Sequence, residues 1–324
     1  MNDPILFIVT CLGFAILNGY LDGSSIVATA IASRAIDPRQ ALLAAAAAEM
    51  CGPLVLGVAV ARTIGSGLLN VDTLNLWALT AALLAAIAWN LIALGLAVPS
   101  SSTHALIGGL VGASLAHSGL ESLNIAGLTG ILASLVLSPL LGMVGGYAAM
   151  HAGLFILRHA TPRANGPLRR MQWLTILGLA LSHGGSDGPK TMGVIVLGLL
   201  ASGTLSRFAI SLPVMLASAA ALAFGVSLGG WRLIRTLGGH IYHVRPLHAL
   251  ASQIGAGGVI LIAALLGGPI SATQVVSSSI VGAGAADRIN QVRWGVFATM
   301  LQSWILTMPV SAALAAGLVQ LAHL

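Results

Sequence analysis

Charge is what this sequence has least of. Only 7% of its 324 residues are Asp, Glu, Lys or Arg, against roughly 25% in an ordinary soluble chain. That is too little to coat a water-facing surface, so a soluble enzyme and a disordered chain are excluded. Cysteine occurs twice, too rarely for a secreted disulfide scaffold. Cys11 and Cys51 lie in apolar runs without metal-ligand spacing, and both are expected to be inert core thiols. Aromatics make up 5%, and lysine occurs once, at Lys190. The start, Met1-Asn2-Asp3-Pro4, has no basic n-region, so the first apolar stretch is expected to stay rather than be cleaved.

What is present is apolar. Hydrophobic residues are 57% of the chain and the mean hydropathy is +0.97. Lipid leaves the backbone only internal hydrogen-bond partners, so the expected class is an all-α polytopic membrane protein. At ~20 residues per span the length allows at most about a dozen crossings and almost no soluble domain. The net charge of +6 comes from arginines near the ends of hydrophobic stretches, as membrane topology requires. Nucleic acid is therefore not an expected partner, whereas membrane lipid is. Apolar stretches run at 5–17, 41–61, 76–98, 125–157, 171–182, 191–203, 208–229, 248–267 and 293–322. Forty glycines in this setting predict close helix packing and broken helices.

The longest polar interruption, Arg158 to Arg170, holds four arginines, two prolines and a glycine. It predicts a cytoplasmic basic linker (158–170) between an N-terminal half (1–157) and a C-terminal half (171–324). The halves repeat. Gly19-Tyr20-Leu21-Asp22-Gly23 matches Gly184-Gly185-Ser186-Asp187-Gly188 at a spacing of 165 residues. Arg62-Thr63-Ile64-Gly65 matches Arg235-Thr236-Leu237-Gly238 at 173, and Pro99 to Thr103 matches Pro269 to Thr273 at 170. Three matches in one order at a nearly constant spacing predict a duplicated unit. The usual transporter form of such a unit is inverted in the membrane, with half-helices meeting near the midplane. Arg62 and Arg235 are then expected on opposite faces.

Each Pro-x-Ser-x-Thr segment follows a long apolar stretch and precedes a short one, Ala105 to Ala116 and Val275 to Ala286. Proline and hydroxyl residues there are helix-start signals. Each segment is expected to open a half-helix whose first N–H groups lack intrahelical partners. Ser101, Ser102, Thr103, Ser271 and Thr273 then surround two positive helix ends, which together suit a tetrahedral oxyanion. Asp22 and Asp187 are acids at membrane depth, which cost several kcal/mol unless paired, protonated or bound to a cation. Their flanking glycines are expected to unwind the helix and expose carbonyls beside a small cation or proton. Lys190, three residues after Asp187, is placed to pair with it or to neutralise the anion. His183 precedes Asp187 by four residues, but two ligands do not make a metal site, and none is expected. His104 is a proton shuttle or, more in keeping with its place, a partner for a helix carbonyl. Glu49 is a third intramembrane acid, a proton site or a partner for an arginine such as Arg62. Trp231 to Arg235, with His240, His243 and Arg245, is expected to be an interfacial loop.

These residues, in this order, resemble the inorganic phosphate transporter family. That family carries a Gly-x-Asn-Asp-x-x-Asn signature and a Pro-x-Ser-Thr-Ser/Thr-His signature in each half. Pro99 to His104 with Ala105-Leu106-Ile107-Gly108-Gly109 is close to the first serine-rich segment. Ser182-His183-Gly184, Asp187 and Lys190-Thr191-Met192-Gly193 look like the second acidic motif. Arg39-Gln40-Ala41 and Thr63-Ile64-Gly65-Ser66-Gly67 also look familial. The chain departs from the pattern at Leu21, Ser25, Ser186, Ala272 and Gln274. Leu21 offers no side-chain oxygen, which makes proton coupling at least as well supported as sodium coupling. The resemblance implies inverted repeats, no enzymatic activity and no cofactor beyond the coupling proton or sodium ion. It implies inorganic phosphate as the substrate, a multi-pass place in the cytoplasmic membrane, and a homodimer as the assembly to test. Its site residues are Asp22, Ser25, Ser101, Ser102, Thr103, Asp187, Lys190, Thr191, Ser271 and Thr273, with Asp22, Asp187 and Glu49 carrying the coupling ion. Sulfate or another tetrahedral oxyanion, and an uncoupled anion channel, are the alternatives. An intramembrane serine enzyme needs one nucleophile and base, not a duplicated serine cluster.

Overall fold

The computed structural model describes residues 3–70, 73, 75–96, 100–230 and 234–321, and of His240 only the backbone. Pro99 and the segment Trp231 to Leu233 lie outside them, so the expectations for those positions are not addressed. Among the described residues are eleven α-helices. They are α1 (Pro4–Ala32), α2 (Pro38–Leu56), α3 (Ala59–Gly67), α4 (Leu76–Gly95), α5 (Ser102–Ser118), α6 (Ile125–Ile156), α7 (Asn165–Ala201), α8 (Leu212–Leu228), α9 (Pro246–Leu266), α10 (Ala272–Arg288) and α11 (Trp294–Leu321). Local chemistry sets their starts. Asp3 caps α1 by accepting from Ile5 N–H at 2.8 Å, and Asp37 caps α2 by accepting from Arg39 N–H at 3.0 Å, each followed by proline at the first helical position. Asn75 and Asn124 cap α4 and α6 in the same way.

Five helices, α1, α4, α6, α9 and α11, are long and apolar enough to cross a membrane. A sixth candidate is the pair α2–α3, bent by 74° where Gly57 adopts a φ of +83°, a conformation open to glycine. The stretch 41–61 is thus broken rather than single. The stretches 171–182 and 191–203 are joined: α7 is one helix of 37 residues. It starts at Asn165, inside the expected linker 158–170. The expected unwinding at the two acids does not occur, for Asp22 lies within α1 and Asp187 within α7. Their glycines serve close packing instead. A Cβ at Gly184 would lie 2.7 Å from the Cα of Glu49, and one at Gly52 would lie 2.6 Å from the carbonyl carbon of Gly184. Cys11 is buried as expected, but Cys51 is exposed beside the exposed Leu54 and Val55 of α2. The expected loop after Leu233 is helical from Ile234 to His240.

The packing repeats with the halves exchanged. Gly19 of α1 meets Leu222 of α8 and Gly225 of α8 meets Ile16 of α1, while Gly184 of α7 meets Glu49 of α2 and Gly52 of α2 meets Leu181 of α7. These are the same positions shifted by the sequence repeat. Likewise α5 packs on α11 through Gly108 and Gly112, and α10 packs on α6 through Gly282. At the centre α1 and α7 run antiparallel: Phe7 touches Gly198, Asn18 reaches Asp187 and Ser33 reaches Gln172. Ala61, beside Arg62, lies against Gly193, and Gly238, three residues after Arg235, lies against Ala28. Arg62 and Arg235 therefore sit toward opposite ends of the α1–α7 pair.

Two apolar clusters hold the ends of this pair. One gathers Ile26, Val27, Ala28 and Ala30 of α1 with Ile176, Leu179 and Ala180 of α7. The other gathers Phe7, Cys11 and Phe14 with Val194, Ile195 and Leu197. Between them both helices carry buried polar residues, Asn18, Asp22, Ser24 and Ser25 on α1 and Ser182 to Thr191 on α7. Away from this layer, Asp287 at the end of α10 accepts from Tyr242 at 3.0 Å and lies 3.0 Å from His248. Burial, and then the Asp287 acceptor, push the Tyr242 phenol up to about 12, so it stays a donor at neutral pH.

Candidate functional site

The half-helices α5 and α10 are both 17 residues long, and their starts meet in the buried polar layer. Ser101 donates to Ser271 at 2.8 Å, which joins the two equivalent N-cap residues directly. Ser101 also accepts from the His104 N–H at 3.1 Å and lies 2.7 Å from His104 Nδ1. His104 thus bonds a cap hydroxyl rather than a helix carbonyl, and Gln274, its counterpart on α10, lies 3.4 Å away. Ser271 makes no side-chain cap bond, so the first-turn N–H groups of α10 lack a side-chain cap. Two positive helix ends therefore point into one buried region.

The carboxylates flank these starts differently. Asp22 accepts from Ser102 of α5 at 2.6 Å and from Thr273 of α10. Among the described residues, the side-chain hydrogen bonds to it come from hydroxyls of the half-helices. Asp187 pairs with Lys190 at 2.6 Å, accepts from Asn18 at 3.1 Å and lies 3.6 Å from His183 Nε2. Lys190 further donates to Thr103 at 2.6 Å and to the Ile270 carbonyl at 2.8 Å. Glu49 faces His183 Nδ1 at 3.0 Å, which gives it a histidine rather than Arg62 as partner. Asp22, Glu49, His183, Asp187 and Lys190 are all at most 1% exposed. Isolated charges so placed would each cost several kcal/mol, and the network of neighbours is what makes their burial tolerable.

Among the residues expected at the site, Ser101, Ser102, Thr103, Asp22, Asp187, Lys190, Ser271 and Thr273 come together through these bonds. Ser25 is turned back to the Asp22 carbonyl at 2.6 Å, and Thr191 is buried one residue beyond Lys190. Glu49 stands one residue further out, behind His183. Asn18 and His183 were not among the expected site residues, although they occupy equivalent positions at the same spacing of 165 residues as Gly19 and Gly184. Asp22, His183 and Asp187 each offer a donor atom, all within 4.8 Å of one another, which adds a third potential ligand to the two read from the sequence. Asn18 Oδ1 and Ser186 Oγ are buried without a hydrogen-bond partner. The arrangement can hold an anion by helix starts and hydroxyls, and a cation or proton by carboxylates, within one buried polar layer.

Comparison with known proteins bears on the family and the fold. A family model described as the phosphate transporter family matches residues 18–165 and 156–315. A protein of Bacillus subtilis (strain 168) named "Probable low-affinity inorganic phosphate transporter" is 36% identical over 317 residues, covering 96% of this chain and 95% of the relative. One of the same name from Rhizobium meliloti (strain 1021) is 35% identical over 317 residues, with 97% and 95% covered. A solved structure described as "The sodium-dependent phosphate transporter" is similar with a TM-score of 0.88 over 100% of this chain and 99% of that one, at 23% identity. That identity speaks for a shared fold. With relatives this similar over nearly the whole length, the chain belongs to the phosphate transporter family, and it is a multi-pass membrane transport protein rather than an enzyme.

Proposed function

We propose that the protein is a secondary transporter that moves inorganic phosphate across the cytoplasmic membrane. In this reading it is coupled to protons or sodium and works by alternating access between two inverted halves. The observation that carries the reading is the Ser101–Ser271 contact, which sets two half-helix starts against each other between Asp22 and Asp187. Phosphate binds where the N–H groups and hydroxyls of Ser101, Ser102, Thr103, Ser271 and Thr273 converge. Ser102 and Thr273 now donate to Asp22. On binding they turn to the anion, and a P–OH group of phosphate donates to Asp22 in their place. Sulfate has no proton to offer at neutral pH, which supports phosphate as the preferred substrate. Asp22, Asp187 and Glu49, with His183 between the last two, carry the coupling charge. An anion alone would face buried carboxylates, so entry of anion and cation together lowers the cost of each.

The antiparallel α1–α7 pair and the exchanged glycine contacts support an inverted repeat, whose halves rock about the site. The exposed apolar residues on α6 and α11, such as Val136, Val144 and Ile305, suit contact with lipid. The test is counterflow of labelled phosphate in proteoliposomes, with sulfate and arsenate as competitors. The expected result is phosphate exchange competed by arsenate and poorly by sulfate. Folded, monodisperse protein that exchanges no phosphate would end this reading, and uptake indifferent to every ion gradient would indicate a channel.

A further inference from the structure

At the second acidic position one carboxylate oxygen, Asp187 Oδ1, already serves a fixed cation, and the other accepts from Asn18. Lys190 is the chain's single lysine, and its ammonium has three hydrogens to donate. All three are matched by oxygens: Asp187 Oδ1 at 2.6 Å, Thr103 Oγ1 at 2.6 Å and the Ile270 carbonyl at 2.8 Å. A carboxylate, a hydroxyl and a main-chain carbonyl are the hard oxygen donors that a sodium ion takes in transporters. They come from three separate elements, α7, the start of α5 and the residue run leading into α10. The ammonium thus links the acid to both half-helix starts from a single point. The equivalent place in the first half is Ser25, which is neutral and hydrogen-bonds its own helix. The two halves therefore differ at this position by one positive charge.

We propose that the Lys190 ammonium is a built-in cation that occupies the second-half cation position, so that phosphate transport does not require sodium there. The inference rests on the reading of the protein as a phosphate transporter and deepens it. This narrows the coupling set to protons at Asp22 and at the Glu49–His183 pair, with Asp187 neutralised by Lys190. The tethered charge also stays with the protein through the cycle. It offsets Asp187 whether or not phosphate is bound, whereas a mobile ion must bind anew at each turnover.

The experiment compares the wild-type protein with Lys190→Asn, which keeps an oxygen at the position and removes the charge. Two readouts are taken, each in sodium chloride and in choline chloride at fixed pH. One is phosphate uptake in proteoliposomes, and the other is the melting temperature of the purified protein in detergent. Wild-type uptake is expected to differ less than about twofold between the salts, and its melting temperature should not respond specifically to sodium. In Lys190→Asn, Asp187 lacks its counter-charge. Uptake in choline is expected to fall by roughly tenfold or more and to recover in sodium, and sodium should raise the melting temperature in a saturable way. Wild-type uptake that rises severalfold with sodium overturns the proposal. So does a monodisperse Lys190→Asn protein with wild-type uptake in choline, or one that shows no sodium response in either readout. If Lys190→Asn does not fold, Lys190→Gln replaces it and the wild-type comparison still decides. A wild-type protein that moves no phosphate in either salt sinks the transport reading alone, because the melting measurements judge the cation position independently of transport.

Discussion

Asp22 and Asp187 hold equivalent places in the two halves, yet they are held in different ways. Asp22 is served by hydroxyls from both half-helices, bonds that can be given up to an arriving anion. Asp187 is tied to Lys190 and Asn18 along the α1–α7 pair, bonds that link the central helices to each other and to the half-helix starts. The glycine packing is thus alike in the two halves while the polar centre differs, with one acid bonded by hydroxyls and the other paired with a lysine. The glycine contacts show where the duplication is strict: Gly19 with Leu222 and Gly184 with Glu49. The side chains at Ser25 and Lys190 show where it is not.

The sharpest way to break this contrast is to remove the two carboxyl charges one at a time. Asp187→Asn leaves a buried ammonium without its carboxylate, a change that costs about 3–5 kcal/mol. The melting temperature should drop steeply, and adding Lys190→Met should restore much of it. An Asp187→Asn protein as stable as wild type would show that the pair is not a structural tie. Asp22→Asn is expected to do the reverse, abolishing phosphate uptake while changing the melting temperature little, because its hydroxyl partners are neutral. A smaller effect is expected at the helix starts. Ser101→Ala and Ser271→Ala should each weaken phosphate uptake by about tenfold, the scale of one hydrogen bond to a charged group. One silent serine would mean that the two starts are not equivalent. The smallest effect lies outside the centre. Asp287→Ala removes the acceptor for Tyr242 and should lower stability by about 1 kcal/mol with uptake unchanged, as thermal unfolding and uptake together would show.

Much of this centre was legible in the sequence because it is written twice. Ser101 and Ser271, Thr103 and Thr273, and Asp22 and Asp187 each point to the other, and proline and serine mark where the half-helices begin. The continuity of α7 was not legible. Ser182 to Lys190 is too polar and glycine-rich to extend an apolar stretch, and Pro189 removes a backbone donor. Only its burial against α1, α2 and the half-helix starts shows why it stays helical. For the same reason the glycines suggested unwinding, when their use is to let Glu49 and Leu222 approach the central helices. Glu49 could not be assigned its partner from sequence, because His183 lies 134 positions away and no local pattern links them. Cys51 illustrates a limit of hydropathy in membranes, where an apolar run is as content facing lipid as facing protein.

The central claim is that the joined starts of α5 and α10 hold the anion. Arsenate has the shape of phosphate and a heavy atom that can be located by anomalous scattering in crystals of the protein. The account predicts one arsenic peak with oxygens within about 3 Å of hydroxyl or N–H donors at Ser101–Thr103 and Ser271–Thr273, and with Asp22 beside it. A peak elsewhere in a protein that still exchanges arsenate for phosphate would contradict it.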